Sequence, residues 1–380
     1  MAASHSWFPR YTGRRLSRRR LLGTSAAGVG AAALLAACGG GGETETEDIT
    51  GMLAPVEDTS NRAKRGGILQ LVRPADPPTW DPMVLSSQWQ QMVSQLFGRL
   101  TILKPGYMED SDGDVVGNHA ESWEFSGDGL TLTFKLRPGI AFHDIPPVNG
   151  RNVDVEDVVF SAKRLFAQGT ARATFSNAIN PLAPIESVTA TDSSTIVMKL
   201  AFPMVTLPSL LAYEYGGYFH ILPKEADDGF DAKSLPIGSG PWLLKEHIPS
   251  ASFSLRRHPG YYDSEHPYLE GVDFAILGEY AAQLAQFKRG ALHLGSYHGW
   301  AVRPEDVLLT KQDVPELLLR QGDVTVQGSA VFFGWRPNGK NPYIDERVRQ
   351  AYSMSIDRDL FIDVDFNVQN YEQSGLPVET

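Results

Sequence analysis

Residues 118–165 read NHAESWEFSGDGLTLTFKLRPGIAFHDIPPVNGRNVDVEDVVFSAKRL, and both hydrophobic periods occur within this one stretch. From Leu130 to Leu136 apolar and polar residues alternate, as they do along a half-buried strand. Gly127-Asp128-Gly129 supplies the positive-φ residues of a tight turn and separates that strand from the run Trp123 to Phe125, so a hairpin is expected. After Pro138-Gly139 and a proline-rich loop, Asp154 stands where a helix N-cap belongs, with Glu156 and Asp157 in the first turn. Val155, Val158, Val159, Ala162, Leu165 and Phe166 then recur at the three- and four-residue spacing of one buried helix face.

The order A-E-S-W-E-x-S-x-D-G-L-T-x-T-F-x-L-R-x-G-x-x-F-H-D, followed by E-D-V-V-F-S-x-x-R, resembles the extracytoplasmic solute-binding proteins of family 5, the dipeptide and oligopeptide receptors of ABC importers. Residues 66–100, 236–242, 287–294 and 345–359 extend the resemblance across nearly all of the chain after its N-terminal region. It implies an α/β, two-lobed fold like that of periplasmic binding proteins, type II and cluster C-like, with an extra small subdomain. The division it implies is a first lobe over 66–118 and 185–305, a small peripheral subdomain over 119–184, and the start of a second lobe over 306–380. Family members continue substantially further, so the second lobe is expected to be incomplete and its apolar faces to lack partners.

The N-terminal region differs in kind. Residues 1–37 hold six arginines and no acid, followed by an Ala/Gly/Leu run, the layout of a targeting segment. Ser17-Arg18-Arg19-Arg20-Leu21-Leu22 fits a twin-arginine signal, and Leu35-Ala36-Ala37-Cys38-Gly39 looks like a lipobox. Cys38 is the single cysteine of the chain, so no internal disulfide can form, and a lipid attachment point explains the thiol best. An uncleaved membrane anchor is the alternative; the run is short and poorly apolar for one. Residues 38–65, Gly-rich and then acidic, read as a flexible tether. Without the six arginines, 28 basic residues face 45 acidic ones, a net charge of −17, which argues against nucleic acid and against a polybasic membrane surface. With 380 residues, 42% hydrophobic and 21% charged, the chain is long enough for two domains.

Residues 66–72 form the first expected strand, and a stiff loop from Pro74 to Pro82 follows. The resemblance implies that this loop lines the ligand cleft, which makes Asp76 and Trp80 ligand-binding candidates. The plainer reading is a Trp that anchors the loop and an Asp that caps a turn. A helix from Ser87 presents Trp89, Met92, Val93, Leu96, Phe97 and Leu100 on one face, and residues 107–117 read as an acidic loop. Strands are expected over 185–190, 195–200 and 253–258, and a helix over 281–289 capped by Gly290. Tyr213, Tyr215, Tyr218 and Phe219 read as core. Pro236-Ile237-Gly238-Ser239-Gly240-Pro241-Trp242 resembles the family's P-x-G-T-G-P-Y and reads as architectural, its glycines permitting a tight backbone path. Where the family has G-x-x-D, this chain has Gly290-Ala291-Leu292-His293, a histidine in place of the acid.

Tyr297, His298 and Trp300 fall where the first lobe hands over to the second, as aromatic walls for a ligand or as hinge packing. Residues 325–335 look like a strand, with Ala330 to Phe333 too apolar for a solvated face; by resemblance Phe333, Trp335 and Arg336 lie at or near the ligand. Arg347 and Arg349, on a helix with Val348, Ala351, Tyr352 and Ser355 on one face, read as structural.

No H-E-x-x-H, G-x-S-x-G or P-loop lysine occurs, and His143-Asp144 is the nearest approach to an acid/base pair. No catalytic residue, cofactor or metal site is expected. The resulting expectation is a monomeric substrate-binding lipoprotein, exported and tethered to the membrane through Cys38. It would close on a peptide and deliver it to an ABC permease and ATPase complex. An oligosaccharide or a nickel chelate is the alternative ligand, and an exported enzyme the alternative from another class.

Overall fold

The computed structural model of the chain describes residues 50–55, 57–84, 87–106, 112–213, 219–294, 302–320, 331–334 and 341–376. The targeting segment, the lipobox with Cys38 and the first part of the tether lie outside them, as do Tyr215 and Tyr218. The strands run β1 (Ile68–Arg73), β2 (Thr101–Leu103), β3 (Val115–Gly117), β4 (Ala120–Phe125), β5 (Thr131–Leu136), β6 (Ile185–Ala190), β7 (Thr195–Leu200), β8 (Trp242–Ile248), β9 (Ser252–Arg257) and β10 (Gly271–Ile276).

They form two four-stranded sheets, ordered β1-β10-β9-β8 and β4-β5-β7-β6, and the pair β2-β3. β1 runs parallel to β10; the other pairs are antiparallel. The expected hairpin is β4-β5. Its turn needs positive φ only at Gly129 (+71°), because Asp128 closes the rest: its Oδ1 accepts from Leu130 N at 3.0 Å and from Ser126 Oγ at 2.6 Å. Leu132, Phe134, Ile196 and Met198 make the buried face of this sheet, and the helix Val155–Gln168 packs against β6 and β7 with Val158, Ala162 and Leu165 inward. That helix starts with a full capping box: Asp154 Oδ1 accepts from Glu156 N and Asp157 N, and Asp157 Oδ2 accepts from Asp154 N at 2.8 Å.

The division expected between 184 and 185 runs through this sheet, because β5 pairs with β7 over Thr131 to Lys135. Residues 185–200 thus belong with the hairpin: both hairpin strands offer apolar faces that β6 and β7 help complete.

The other sheet is covered on both faces at β1. Leu71 of β1 joins a core with Trp80, Phe253, Leu255 and Phe274, whereas Val72 faces Phe287, Leu292 and Val302 around the helix Tyr280–Lys288. Arg164, on the helix Val155–Gln168, reaches back to the loop after β1: its guanidinium lies 2.8 Å from the fully buried Asp81 and 2.7 Å from Asp227. The Asp81-Pro82 corner is thereby fixed by a paired buried charge.

Three expectations are corrected. Val115–Gly117 is a strand rather than loop, because the two β-branched residues Val115 and Val116 pair with Thr101–Leu103. The helix from Ser87 ends at Val93 and tightens to a 3-10 turn over Ser94–Leu96, though Trp89, Met92, Val93, Leu96, Phe97 and Leu100 are all buried as expected. Val331 to Gly334 has no regular structure and Phe332 is 91% exposed, because no described segment packs on it; residues 321–330 are outside the description. Beyond them, the helices Glu346–Ser355, Arg358–Phe366 and Val368–Gln373 bury none of their residues, including Val348, Ala351, Tyr352 and Ser355. Part of the tether is tied down, since Ala54 N donates to Leu319 O at 2.7 Å.

Candidate functional site

The loop after β1 carries the two candidates the structure describes most fully. Asp76 is half-buried; His247 Nε2 lies 2.9 Å from its Oδ1 and Ser250 N donates to its Oδ2 at 2.8 Å. The bond from His247, helped by Ser250, holds the Asp76 carboxyl below its usual range. Trp80 is 3% exposed. Its indole Nε1 stands 3.4 Å from His247 Nδ1, its backbone N donates to Lys233 O at 2.9 Å, and its ring meets His247 and Phe253 edge-on at 5.4 and 5.5 Å. Asp76 and Trp80 are thus brought together by a third residue, His247 of β8. Sequence reasoning missed it, since one histidine in an otherwise ordinary strand gives no signal.

Phe333 is half-buried, tilted 42° to Tyr343 at 4.9 Å and edge-on to Tyr352 at 5.5 Å. Tyr297, Trp300, Trp335 and Arg336 lie outside the described residues, as does His298. His293, the departure from G-x-x-D, has a role: its Nδ1 accepts from Gln70 N at 3.1 Å while its own N donates to Gln70 O at 3.0 Å, so it pairs with the outer edge of β1. A carboxylate is an acceptor too and would suit the same amide.

Around residues 236–242 the geometry is architectural. A Cβ on Gly238 would fall 1.9 Å from Leu96 O, and one on Gly240 2.4 Å from Gln95 O, so the segment leading into β8 crosses the 3-10 turn backbone to backbone. Histidines seal the crossing. His143 N donates to Gly238 O at 2.7 Å, Gly238 N donates to His143 Nδ1 at 3.2 Å, and His258 sits edge-on to His143 at 4.8 Å. Ser239 Oγ lies 2.7 Å from His119 Nε2, and His119 Nδ1 lies 2.9 Å from Asn118 Oδ1.

Ser239, His119 and Asn118 therefore share the bonding order of a nucleophile, a base and an orienting group. Ser239 and His119 are sealed from solvent, so no substrate reaches the hydroxyl. Burial, with Arg137 and Arg99 nearby, pushes His119 down to about 3. Burial and His258 push His143 down to about 3 as well. These imidazoles are neutral hydrogen-bonding struts. His143 and the exposed Asp144 do not act as a pair. Among the described residues no three His, Cys, Asp or Glu side chains are placed to hold a metal ion.

Two sheets with helices on the buried sides, linked by these crossings, are the α/β architecture of periplasmic binding proteins. The chain belongs to the bacterial extracellular solute-binding proteins, family 5, whose middle region it matches over residues 114–378. Proteins of this family are transport receptors rather than enzymes. Di/tripeptide-binding protein 2 of Pseudomonas aeruginosa is 25% identical over 313 residues, covering 78% of this chain and 55% of its own. Among solved structures, MoaA of A. tumefaciens R10 in complex with mannopinic acid is 30% identical with a TM-score of 0.50, over 60% of this chain and 44% of its own. CtaP of Listeria monocytogenes is 25% identical with a TM-score of 0.53, over 66% of this chain and 47% of its own. The chain spans about half the length of the relatives it matches.

Proposed function

We propose that this chain is the substrate-binding component of an ABC importer, that it binds a peptide between two lobes, and that it passes the peptide to a membrane permease and its ATPase. The observation that carries the reading is the similarity to a di/tripeptide-binding protein along 78% of the chain. In this reading the first lobe is built on the sheet β1-β10-β9-β8, the small subdomain runs from 119 to 200 with its sheet intact, and the second lobe begins near 306. Asp76, Trp80, Tyr297, Trp300, Phe333, Trp335 and Arg336 face the ligand, with binding free energy drawn from burial and orientation from a few polar groups. Cys38 carries the lipid that keeps the exported receptor, a monomer, at the membrane.

Non-denaturing mass spectrometry of the receptor purified from its own cells tests the ligand class. Added masses that fit amino-acid residues are expected. Masses fitting a sugar or a sugar conjugate would replace peptide by the second reading, a small non-peptide solute, which the likeness to the mannopinic acid complex favours. Trp80→Ala and Trp335→Ala should each weaken binding of the released ligand, and equal affinity in both would remove them from the site. Cys38→Ser should release the protein from the membrane fraction; retention there would refute the lipid anchor.

A further inference from the structure

His247 reaches two residues of one loop with its two ring nitrogens. Nε2 stands 2.9 Å from Asp76 Oδ1 and Nδ1 stands 3.4 Å from Trp80 Nε1. The neutral tautomer with its proton on Nε2 serves both, donating to the carboxylate while Nδ1 accepts the indole N–H. The ring is also pinned edge-on against Trp80 at 5.4 Å and Phe253 at 6.2 Å. Space-filling alone would need neither nitrogen. A partner for Asp76 alone would leave the N–H of a buried indole without this acceptor.

We propose that His247 is a positioning residue that fixes Asp76 and Trp80 relative to one another through a single imidazole, so that the loop meets its ligand with carboxylate and ring already set. The inference rests on the reading that the loop from Pro74 to Pro82 faces the ligand. Pre-set groups lose less conformational freedom on binding, which is how a residue that need not touch the ligand raises affinity. β8 also turns into β9 at Ser250, whose backbone N holds the second oxygen of Asp76, so strand and turn clamp the carboxylate from two sides.

The test uses the full chain labelled with ¹⁵N-tryptophan. Its seven tryptophans give at most seven indole signals, and Trp80→Phe identifies the one that matters. His247→Phe keeps an aromatic ring against Trp80 and Phe253 but has no nitrogen; it should move the Trp80 signal. Asp76→Ala removes a group bonded to His247 rather than to the indole, and it should move the same signal, with the double variant resembling His247→Phe alone. Affinity for the dipeptide Ala-Phe should fall about fivefold to tenfold in His247→Phe, the loss of one hydrogen bond's worth of orientation. A Trp80 signal that stays in place in His247→Phe, or that moves there but not in Asp76→Ala, overturns the proposal. So does a moved signal with Ala-Phe affinity within twofold. Should the unsubstituted chain bind no peptide at all, the peptide reading fails separately, and the indole signals still decide the positioning. If His247→Phe does not fold, the Asp76→Ala signal decides it.

Discussion

The crossing of Gly238 and Gly240 over Ser94–Leu96 and the helices from Glu346 to Gln373 are built on opposite terms. At the crossing, backbone meets backbone with no room for a Cβ, while His119 bonds to Ser239 and Asn118 and His143 Nδ1 accepts from Gly238 N. In the helical segment, Asp345 and Asp357 cap their helices correctly, yet Met354 is 84% and Val364 76% exposed and no helix residue is buried. Local sequence rules are obeyed in both places. Only the first converts them into burial, so stability in this chain is concentrated far from its C-terminal helices.

The sharpest way to break the comparison is Gly238→Ala. The added Cβ would meet the Leu96 carbonyl oxygen at 1.9 Å, and backbone on both sides leaves no flexible side chain to yield. A loss of at least about 3 kcal/mol is expected, read as a lower urea midpoint. Hydrogen exchange in residues 346–373 should stay as fast as before, because those amides are not held by the crossing. An unchanged midpoint would mean the crossing is looser than drawn.

Acid should separate the two regions next. In the unfolded chain His119 and His143 take up protons near pH 6.5, whereas in the fold they resist until about 3. Between those values the unfolded state binds more protons, so their contribution is complete above pH 6.5 and is lost as pH falls toward 3. At pH 5 the two together cost roughly 4 kcal/mol, at about 1.4 kcal/mol per pH unit each. The urea midpoint should drop between pH 7 and 5, and a flat midpoint would contradict the buried neutral imidazoles. The helical segment contains no histidine over 341–376, so its exchange should not respond to these groups.

What could be read from sequence follows the same divide. The β4-β5 hairpin, the cap at Asp154 and the apolar stripe ending at Leu165 are local patterns, and each was legible. The architectural role of Gly238 was legible too, because glycine at a tight path has few other reasons. β3 was obscured by acidic neighbours, and the pairing of β5 with β7 joins residues sixty or more positions apart, which no local period encodes. At the site, Asp76 and Trp80 could be singled out, whereas His247 became visible only when folding set it between them. The helix face of Val348 and Ala351 was legible from its period, and it stays uncovered among the described residues, as expected of apolar faces without partners.

The smallest expected effect sharpens the contrast from the other side. In a packed core, replacing Met by a small polar residue leaves a cavity and costs several kcal/mol. Met354 and Val364 lose no such contacts, because they make few. Met354→Ser and Val364→Ser should each change the urea midpoint by an amount equivalent to less than about 0.5 kcal/mol. They should nevertheless lower the binding of a hydrophobic dye and slow aggregation, because exposed apolar area drives association whether or not it stabilises the fold. A substantial loss of stability in either variant would show that this surface is covered in solution, and the division between a sealed crossing and an open helical face would have to be redrawn.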